Sequence, residues 1–451
     1  MQNYIYWEEP IYVEVIDNKR IFLYVDRFQG KFEQYAINDS ALEIIETVNG
    51  IRTLDQVYDF FCHKYEESLD VVKENVDTFI FELEKSYRIH LASQEEPESR
   101  RVEVKKVNIY PKVVSIELTD FCNLTCKHCY GAFCMENRSF IPLNKMKKLL
   151  LELDECRTIM LELTGGECLT HPNFKEILKY ALSLNFKQIA ILSNGVAFTP
   201  ELFEIIKANR DRVSVQIDMH SLNEEYLDWF TGTPHIIERV ENNIRLAVAT
   251  GAPVRIVSVI TKRNLKELES LASWVNKIGA ASYAISPVIQ LGRAVEYDQD
   301  LILEQQESEQ MMERLGALAS KYCDMMKNPL VEAPNNHLIN CGCISSHLTV
   351  KSNGDVKMCT MDCGDCTNSK FGNVLEQGVK GVYDLHQKLI YAIAYQQVPN
   401  ANNEHCRQCA NFTFCVSCML RTFIKASEDK ENCYWYQHEL SPFIKEAIFG
   451  E

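Results

Sequence analysis

Three cysteines stand close together in one short loop of the 451-residue chain. Cys122, Cys126 and Cys129 have the spacing C-x3-C-x2-C, directly after an apolar run at residues 113–119 that predicts a buried strand. Three thiolates from one loop can hold three irons of a [4Fe–4S] cluster, which leaves the fourth iron free to bind a reactant. The alternative interpretation is a zinc knuckle or a group of buried thiols. The spacing therefore predicts a metal centre at the end of a strand.

The elements that must position this loop alternate between strand and helix. Helical patterns, for example at 173–184 and 265–277, separate six apolar segments. We predict strands at 113–119, 159–164, 188–193, 213–218, 254–260 and 281–286. Six such strand–helix units imply a parallel sheet. We expect an α/β fold that closes as a partial (β/α)6 barrel, with its reactive residues at the carboxyl ends of the strands.

A second motif falls at one of those strand ends. Gly165, Gly166 and Glu167 follow the second predicted strand, about 35 residues after the cysteine loop. Together with the cysteine spacing, this motif resembles the radical S-adenosylmethionine (SAM) family. The resemblance implies that the open iron chelates the amino and carboxylate groups of SAM, and that an electron from the cluster cleaves SAM to methionine and a 5′-deoxyadenosyl radical. It also implies the partial barrel fold.

The resemblance assigns further residues to SAM. It places Gly165, Gly166 and Glu167 against the SAM amino group, and it makes Ser193, at the end of the third predicted strand, a ligand of the ribose. The alternative for the segment that begins at Ser193 is an ordinary turn. In relatives the residue before the third cysteine lies near the adenine, which suggests His128; a packing role is the alternative.

The last third of the chain is rich in cysteine. Its spacing resembles the SPASM pattern, in which an extended domain holds two auxiliary [4Fe–4S] clusters; the last interval of the C-x2-C-x5-C-x2-C quartet is two residues here, where three is usual. The outer cluster is expected on Cys406, Cys409, Cys415 and Cys433. The inner cluster is expected on Cys359 and Cys418, with Cys341 or Cys343. The resemblance thus implies three [4Fe–4S] clusters in all.

The number of cysteines leaves one question open. Ten cysteines lie between Cys341 and Cys433, and two fully ligated clusters need only eight of them. Cys363 or Cys366 could complete the inner cluster. Alternatively, that cluster keeps an open iron for a substrate thiolate, or the two surplus cysteines are free thiols in a loop.

The first 95 residues predict a small α+β domain. Strands are expected at 11–15, 20–25 and 31–36, followed by two helices with capping boxes at Ser40 and Thr53 and a third helix at 69–87. This is the outline of a winged helix-turn-helix.

The charge of the third helix bears on what this domain binds. Acidic residues outnumber basic ones on this helix, which argues against entry into a DNA groove. The domain resembles the PqqD-like precursor-recognition domain of peptide-modifying enzymes. Such domains add a leader peptide as a strand on an exposed sheet edge, here expected near 31–36 and the third helix.

Composition limits the remaining choices. A net charge of −16 argues against nucleic acid as the main partner, and no run of about 18 apolar residues predicts a membrane span. Without a signal-like N-terminus, 18 cysteines predict metal ligands in the reducing cytoplasm. We expect a recognition domain at 1–95, a linker at 96–112, a radical SAM barrel at 113–334 and a SPASM domain at 335–451.

Over essentially its whole length the chain resembles the thioether-forming (sactipeptide or ranthipeptide) maturases of ribosomally made peptides. That resemblance implies a precursor peptide and a low-potential electron donor such as flavodoxin or ferredoxin as partners. The alternatives are a maturase that forms carbon–carbon bonds or epimerises, a sulfatase-type formylglycine maturase, and an iron–sulfur transcriptional regulator. The formylglycine enzymes carry an aspartate base where this chain has Thr360, and the acidic third helix disfavours a regulator.

Overall fold

A computed structural model gives the fold. It describes residues 4–7, 11–16, 19–26, 31–86, 89–92, 103–106, 110–136, 139–326, 340–362, 371–400 and 402–450. The chain divides into two compact units, Met1–Ile109 and Tyr110–Glu451. Cys363 and Cys366 lie outside the described residues.

The first unit pairs two small sheets with three helices. Its elements are β1 (Tyr4–Trp7), β2 (Ile11–Ile16), β3 (Lys19–Asp26), β4 (Lys31–Ile37), α1 (Asp39–Thr47), α2 (Leu54–Tyr65), α3 (Leu69–Ser86), β5 (Ile89–Ala92) and β6 (Glu103–Lys106). The main sheet has the order β4-β3-β2-β6, and β1 pairs with β5. The antiparallel strands β2, β3 and β4 confirm the three predicted strands, and α3 confirms the predicted third helix.

The predicted linker at 96–112 is wrong for part of its length. Residues 103–106 form β6, which lies parallel to β2 with Tyr12 opposite Glu103. The segment Glu-Val-Lys-Lys has too little apolar character to indicate a strand by itself. It is a strand because the unpaired edge of β2 offers its backbone groups hydrogen-bond partners.

Of the two capping boxes predicted in the first unit, one is confirmed and the other is wrong. The Thr53 capping box is present, since Thr53 Oγ1 accepts from the Gln56 N–H and Gln56 Oε1 accepts from the Thr53 N–H. Helix α1 instead begins one residue before Ser40, and its N-cap is Asn38, whose side chain accepts from the Ala41 N–H at 2.8 Å. Asn and Ser are equally good caps, so the sequence alone could not choose between them.

The second unit contains the long sheet and its helices. The strands are β7 (Val113–Glu117), β8 (Met160–Thr164), β9 (Gln188–Ser193), β10 (Val213–Asp218), β11 (Val254–Ile260), β12 (Ser282–Pro287), β13 (His347–Val350) and β14 (Val356–Lys357). The helices between the first six strands are α4 (Leu143–Glu155), α5 (Phe174–Leu182), α6 (Pro200–Ala208), α7 (Glu224–Thr231), α8 (Ile237–Ala249) and α9 (Leu268–Ile278). Beyond β12 come α10 (Asp298–Leu301), α11 (Gln305–Lys321), α12 (Val374–Ala394, kinked at Gly378), α13 (Glu404–Arg407), α14 (Phe412–Cys415), α15 (Met419–Glu428) and α16 (Pro442–Ile444).

The sheet confirms the predicted fold class. Strands β7 to β12 are parallel and stand side by side in chain order, with helices between them, as a partial (β/α)6 barrel requires. All five residues of β7 are buried, as expected for a parallel strand covered on both faces. Every predicted strand lies within two residues of its observed bounds.

The cysteine-rich third of the chain joins the same sheet. Strand β13 pairs parallel with β7, placing Thr349 opposite Ser115, and β14 returns antiparallel to β13. The sheet therefore has eight strands, in the order β12-β11-β10-β9-β8-β7-β13-β14. Within the described residues, no helix is both long and apolar enough to cross a membrane.

Candidate active site

The carboxyl ends of the parallel strands surround one cavity of about 470 Å³. All three cysteines of the predicted metal loop line it, together with the glycine motif and polar residues from the neighbouring strand ends. These lining residues include Cys122, Cys126, His128, Cys129, Gly165, Gly166, Ser193, Asn194, Asp218 and His220. The fold thus brings the predicted SAM residues Gly165, Gly166, Ser193 and His128 around the same space as the three cysteines, whereas Glu167 is 1% exposed and is not among the lining residues.

Backbone hydrogen bonds hold the cysteine loop in place. The Cys122 N–H donates to the Cys134 carbonyl at 3.1 Å, and the Cys129 N–H donates to the Cys126 carbonyl at 3.2 Å. On the other side, the Lys127 N–H donates to the carbonyl of Phe230 on α7 at 2.9 Å. The loop is therefore tied both to itself and to the barrel wall.

The chemistry of these thiols fits a metal cluster. Burial raises the pKa of Cys122 to about 12 and raises the pKa of Cys126 well above its usual value, and the neighbouring thiols of Cys122 and Cys129 raise that of Cys126 further. Neighbouring thiols whose pKa is raised in this way need a cation to deprotonate together.

The spacing of the thiols favours a cluster over a single zinc ion. A tetrahedral zinc ion places its sulfur ligands about 3.8 Å apart, as follows from a Zn–S bond of about 2.3 Å. Among the described residues, no three cysteine Sγ atoms lie within 4.8 Å of one another. Ligands on different irons of a cluster are farther apart than ligands on one ion. The zinc knuckle therefore fits less well than the [4Fe–4S] cluster.

The glycine motif packs directly on the cysteine loop. The Gly166 N–H donates to the Thr119 carbonyl at 2.8 Å, and the Glu167 N–H donates to the Phe121 carbonyl at 2.9 Å. A Cβ on Gly165, whose φ is +129°, would lie 2.4 Å from the Thr119 oxygen, and one on Gly166 would lie 2.2 Å from the Phe121 oxygen. Only glycine permits this approach at either position.

Glu167 presents a buried carboxylate that fits an ammonium group. It accepts hydrogen bonds from the Asn194 N–H at 2.8 Å, the Leu169 N–H at 3.1 Å and the Ser193 hydroxyl at 2.9 Å. Burial raises its pKa to about 7, and among the described residues it forms no salt bridge. A cation such as the SAM ammonium would compensate for the burial of this charge.

Ser193 has a second partner that the sequence did not reveal. Its hydroxyl donates to Glu167 and accepts from the Gly195 N–H at 3.1 Å. The ribose contact therefore stays a prediction, and the geometry shows Ser193 orienting Glu167. Asp218, at the end of β10 in the same cavity, accepts no hydrogen bond from the described residues and is a further candidate for the ribose hydroxyls.

His128, the residue predicted to contact the adenine, lines the same cavity. Its ring is parallel to Phe230, with the ring centres 4.6 Å apart, and it meets His220 edge to face at 4.9 Å. Its Nδ1 atom is buried and has no hydrogen-bond partner among the described residues. Burial lowers the pKa of His128 to about 4, so the ring is neutral. The adenine contact remains a prediction that this unused atom suits.

Eight cysteines in the last third of the chain interact in two sets of four. In the first group, the Cys343 thiol donates to Cys341 and lowers the pKa of Cys341 to about 6, while Cys359 and Cys418 both act electrostatically on Cys343. In the second group, Cys406, Cys409 and Cys433 all raise the pKa of Cys415, which burial raises to about 12. Cys341 and Cys343 therefore fall in the same set, and the service of either set as cluster ligands stays a prediction.

Comparison with known families agrees with this geometry. Residues 116–275 match the model of the radical SAM superfamily, and residues 341–410 match the SPASM iron–sulfur cluster-binding domain. The chain is a radical SAM enzyme with a SPASM domain. Its α/β sheet with the cysteine loop at the strand ends is the arrangement that this family implies.

One known relative extends the likeness over most of this radical SAM enzyme, and another shares a shorter part of it. It is 25% identical to the antilisterial bacteriocin subtilosin biosynthesis protein AlbA of Bacillus subtilis (strain 168) over 414 residues, which covers 90% of each chain. It is 31% identical over 170 residues to the mycofactocin maturase MftC of Mycobacterium tuberculosis (strain ATCC 25618 / H37Rv), covering 38% of this chain and 43% of MftC.

Solved structures share the fold at low identity. Streptococcus suis SuiB bound to the precursor peptide SuiA is 14% identical, with a TM-score of 0.61, and the match covers 93% of this enzyme and 97% of SuiB. The protein anSMEcpe with bound AdoMet and the Cp18Cys peptide has a TM-score of 0.54 at 13% identity, covering 75% of this enzyme and 98% of anSMEcpe.

Arg293 is a site residue of this radical SAM enzyme to which sequence reasoning gave no role. Its guanidinium donates to the carbonyl of Cys126 and to the carbonyl of Phe133, each at 2.7 Å. The backbone N–H of Arg293 donates to the Cys129 carbonyl at 3.0 Å. The preceding Gly292, with φ +56°, has no room for a Cβ, which would lie 2.2 Å from the Tyr130 oxygen. Residues 292–293 therefore clamp the cysteine loop.

Replacing Arg293 by alanine is expected to lower the iron content and to slow 5′-deoxyadenosine formation at least about tenfold. The loop loses two charge-assisted hydrogen bonds, each worth about 1.5–3 kcal/mol. Lysine should not restore the site, because a single ammonium cannot replace the planar fork on two carbonyls. The control is Arg263→Ala, which removes an exposed arginine paired with Asp300. Full iron and a normal rate in Arg293→Ala would contradict the clamp.

Proposed function

We propose that this enzyme, a radical SAM peptide maturase, joins a cysteine sulfur of a ribosomally made precursor peptide to a carbon of the same peptide. The observation that carries the proposal is the position of Thr360 and Met361. They directly follow Cys359 of the first four-cysteine group, and both line the SAM cavity. An auxiliary cluster there would lie next to the radical site. The match to AlbA, named for subtilosin biosynthesis, along nine-tenths of both chains supports the same reaction.

The chemistry balances without a further oxidant. With the SAM cluster and SAM bound, the site supplies a 5′-deoxyadenosyl radical. The peptide carbon loses one hydrogen atom to that radical, the cysteine thiol loses a proton, and sulfur and carbon form a bond. One electron is released and passes to an auxiliary cluster, so each crosslink consumes one SAM and removes two hydrogens from the peptide.

The side chains of the cavity have separate tasks in this proposal. Glu167, whose carboxylate accepts from the lining residues Ser193 and Asn194, would hold the SAM ammonium. The bare backbone of Gly165 and Gly166 would let SAM lie against the cysteine loop. An apolar wall would keep water from the radical and would accept the peptide. It is formed by Leu192, Val259, Pro287, Val288, Ile289, Leu291 and Met361.

A formylglycine maturase is less well supported. The aspartate base expected after Cys359 is Thr360 here, and the nearest carboxylate, Asp362, is 1% exposed and is not among the residues that line the cavity. Asp362 instead accepts from the Met358 N–H at 3.3 Å. Carbon–carbon bond formation and epimerisation need no such base, so they remain outcomes of the test below.

The first unit offers a site for the leader of the precursor. Strand β4 is an edge of its sheet, whereas β6 covers β2 at the other edge. Next to the end of β4, helices α1, α2 and α3 line a groove of about 590 Å³, whose walls include Ile44, Phe61, Val71, Val72, Val76 and Phe79. A peptide strand added to β4 would be able to place apolar side chains in this groove.

Replacing Val71 by glutamate should weaken leader binding by about tenfold. Val71 lines the groove but is 43% exposed, so the change puts a charge in the groove without disturbing the core. Loss of one buried valine contact costs about 1.5 kcal/mol, close to a factor of ten in affinity. The matched control is Leu69→Glu, which is 44% exposed and lies outside the groove on the same helix. Fluorescence anisotropy of a labelled leader peptide measures both; equal affinities would refute this docking site.

Mass spectrometry of the precursor tests the function directly. The precursor would be the short cysteine-rich open reading frame beside the gene, incubated without oxygen with reconstituted enzyme, SAM and dithionite, and then with reduced flavodoxin or ferredoxin as the proposed physiological donor. A loss of two hydrogens per modification, with the cysteine no longer alkylated, supports the thioether. Two hydrogens lost with free cysteines would indicate a carbon–carbon bond. Unchanged mass with 5′-deoxyadenosine still formed would refute the thioether. Deuterium gained by the peptide in D2O would then indicate epimerisation, and no deuterium gained would refute this substrate.

A further inference from the structure

Lys357 is a buried cation that joins segments far apart in the chain. It ends β14, and its side chain is only 5% exposed. Its Nζ atom lies 2.8 Å from Oε1 of Glu117, which is 3% exposed, and donates to the Thr360 carbonyl at 2.9 Å. The same ammonium stands 5.5 Å from the centre of the Tyr130 ring. One charged atom therefore touches three separate segments.

Each of these segments belongs to a predicted cofactor site. Glu117 is the last residue of β7, from which the cysteine loop begins, and Tyr130 directly follows Cys129. Thr360 directly follows Cys359 of the four-cysteine group formed with Cys341, Cys343 and Cys418. Lys357 therefore links the SAM-cluster loop to the inner auxiliary site across 240 residues of sequence.

Stability alone gives a poor reason for this pair. Removing two charges from water costs more than their attraction returns unless further hydrogen bonds help, and a well-packed apolar pair in the same place is often as stable or more so. The parallel pairing of β13 with β7 already brings the hairpin to the end of the sheet. Because Lys357 Nζ donates to both Glu117 and the Thr360 carbonyl, the ion pair defines the position of that carbonyl relative to Glu117.

We propose that Lys357 is a positioning residue that sets the inner auxiliary cluster at its working distance from the SAM site. This rests on the proposed function in one respect: the electron released when sulfur and carbon bond must reach that cluster from the peptide in the cavity. Without Lys357 the Cys359–Thr360 segment loses its fixed place beside the cavity. SAM cleavage then continues, but fewer radicals end in a crosslink.

The test compares Lys357→Met with the double variant Glu117→Leu plus Lys357→Met. The double variant leaves no unpaired buried charge, so it is expected to fold even where the single variant does not. The control is Lys351→Met on the same hairpin, which removes the same charge from a residue that forms no salt bridge among the described residues. Thermal melting and iron per chain establish that each variant is folded and loaded.

Two readouts decide the proposal. The first is the ratio of 5′-deoxyadenosine to crosslinked precursor, which should rise about tenfold or more, the scale on which small displacements impair catalysis. The second needs no peptide: with Cys122, Cys126 and Cys129 replaced by alanine, the electron paramagnetic resonance signal and midpoint potential of the inner cluster should change, while those of the outer cluster should not.

The outcomes separate this proposal from the function on which it rests. An unchanged ratio and an unchanged inner-cluster signal in the folded double variant would overturn the positioning role. If the unaltered enzyme forms no crosslink, the proposed function fails, and the spectroscopic arm still decides whether Lys357 positions the inner cluster. A change in both auxiliary clusters alike would show a general loosening of the domain and would also overturn the proposal.

Discussion

Replacing Cys126 by alanine is expected to abolish the formation of 5′-deoxyadenosine and to remove about four irons per chain, the content of one [4Fe–4S] cluster. Cys126 lines the cavity together with Cys122 and Cys129. Among the described residues, the lining contains no further cysteine, so no other thiol there could take the place of Cys126. Substitution of a residue that only hydrogen-bonds to a metal ligand lowers metal affinity or activity about 10- to 100-fold. Loss of a ligand itself should therefore have a larger effect.

A matched control lies on the same loop. Cys134→Ala also removes one thiol, but Cys134 does not line the cavity and serves through its backbone carbonyl, which accepts from the Cys122 N–H. Its rate should stay within about twofold of the unaltered enzyme, as for substitutions away from a site. Iron analysis and chromatography of 5′-deoxyadenosine measure both variants. Equal losses in the two would mean that the loop is damaged in general and that Cys126 has no special part.

Replacing Gly165 by alanine is expected to slow SAM cleavage about a hundredfold while the iron content stays normal. The added Cβ would lie 2.4 Å from the Thr119 carbonyl, so the turn must move by about 1 Å, a displacement that can cost this much in rate. The φ of +129° adds backbone strain of about 1–3 kcal/mol for any residue with a side chain. The three cysteines are untouched, and for this reason the cluster should remain.

The matching control is Gly381→Ala. A Cβ there would lie 3.5 Å from the Gln377 Cβ, an ordinary contact, and alanine within a helix is about 1 kcal/mol more favourable than glycine. Equilibrium dialysis of SAM should show weaker binding for Gly165→Ala only. SAM binding and cleavage at the unaltered level in Gly165→Ala would refute the role of this turn as the SAM cradle.

The sequence predicted the fold class because its signals are local. The parallel strands are short segments rich in valine and isoleucine, and those predicted at 188–193, 213–218 and 254–260 match the observed strands residue for residue. The cysteine loop and the glycine motif were found in the same way, since each is contained in a few consecutive residues.

The resemblance to the SPASM pattern also predicts which thiols share a cluster. Cys415 interacts electrostatically with Cys406, Cys409 and Cys433, and Cys343 interacts with Cys341, Cys359 and Cys418, which agrees with the two sets that the resemblance implied. Their service as cluster ligands remains a prediction. Whether Cys363 or Cys366 completes the inner cluster also remains open, because both lie outside the described residues.

By itself, then, the sequence determined the order of the strands, and it predicted the cluster thiols and the SAM motif at their ends. The tertiary structure alone decided which distant polar groups meet: Arg293 on the carbonyls of the cysteine loop, Ser193 on Glu167, and Lys357 on Glu117. It also decided that residues 103–106 complete a sheet edge. The reason is physical. A local motif carries its own geometry in its spacing, whereas a hydrogen bond or ion pair between distant residues exists only after the sheet has placed both partners.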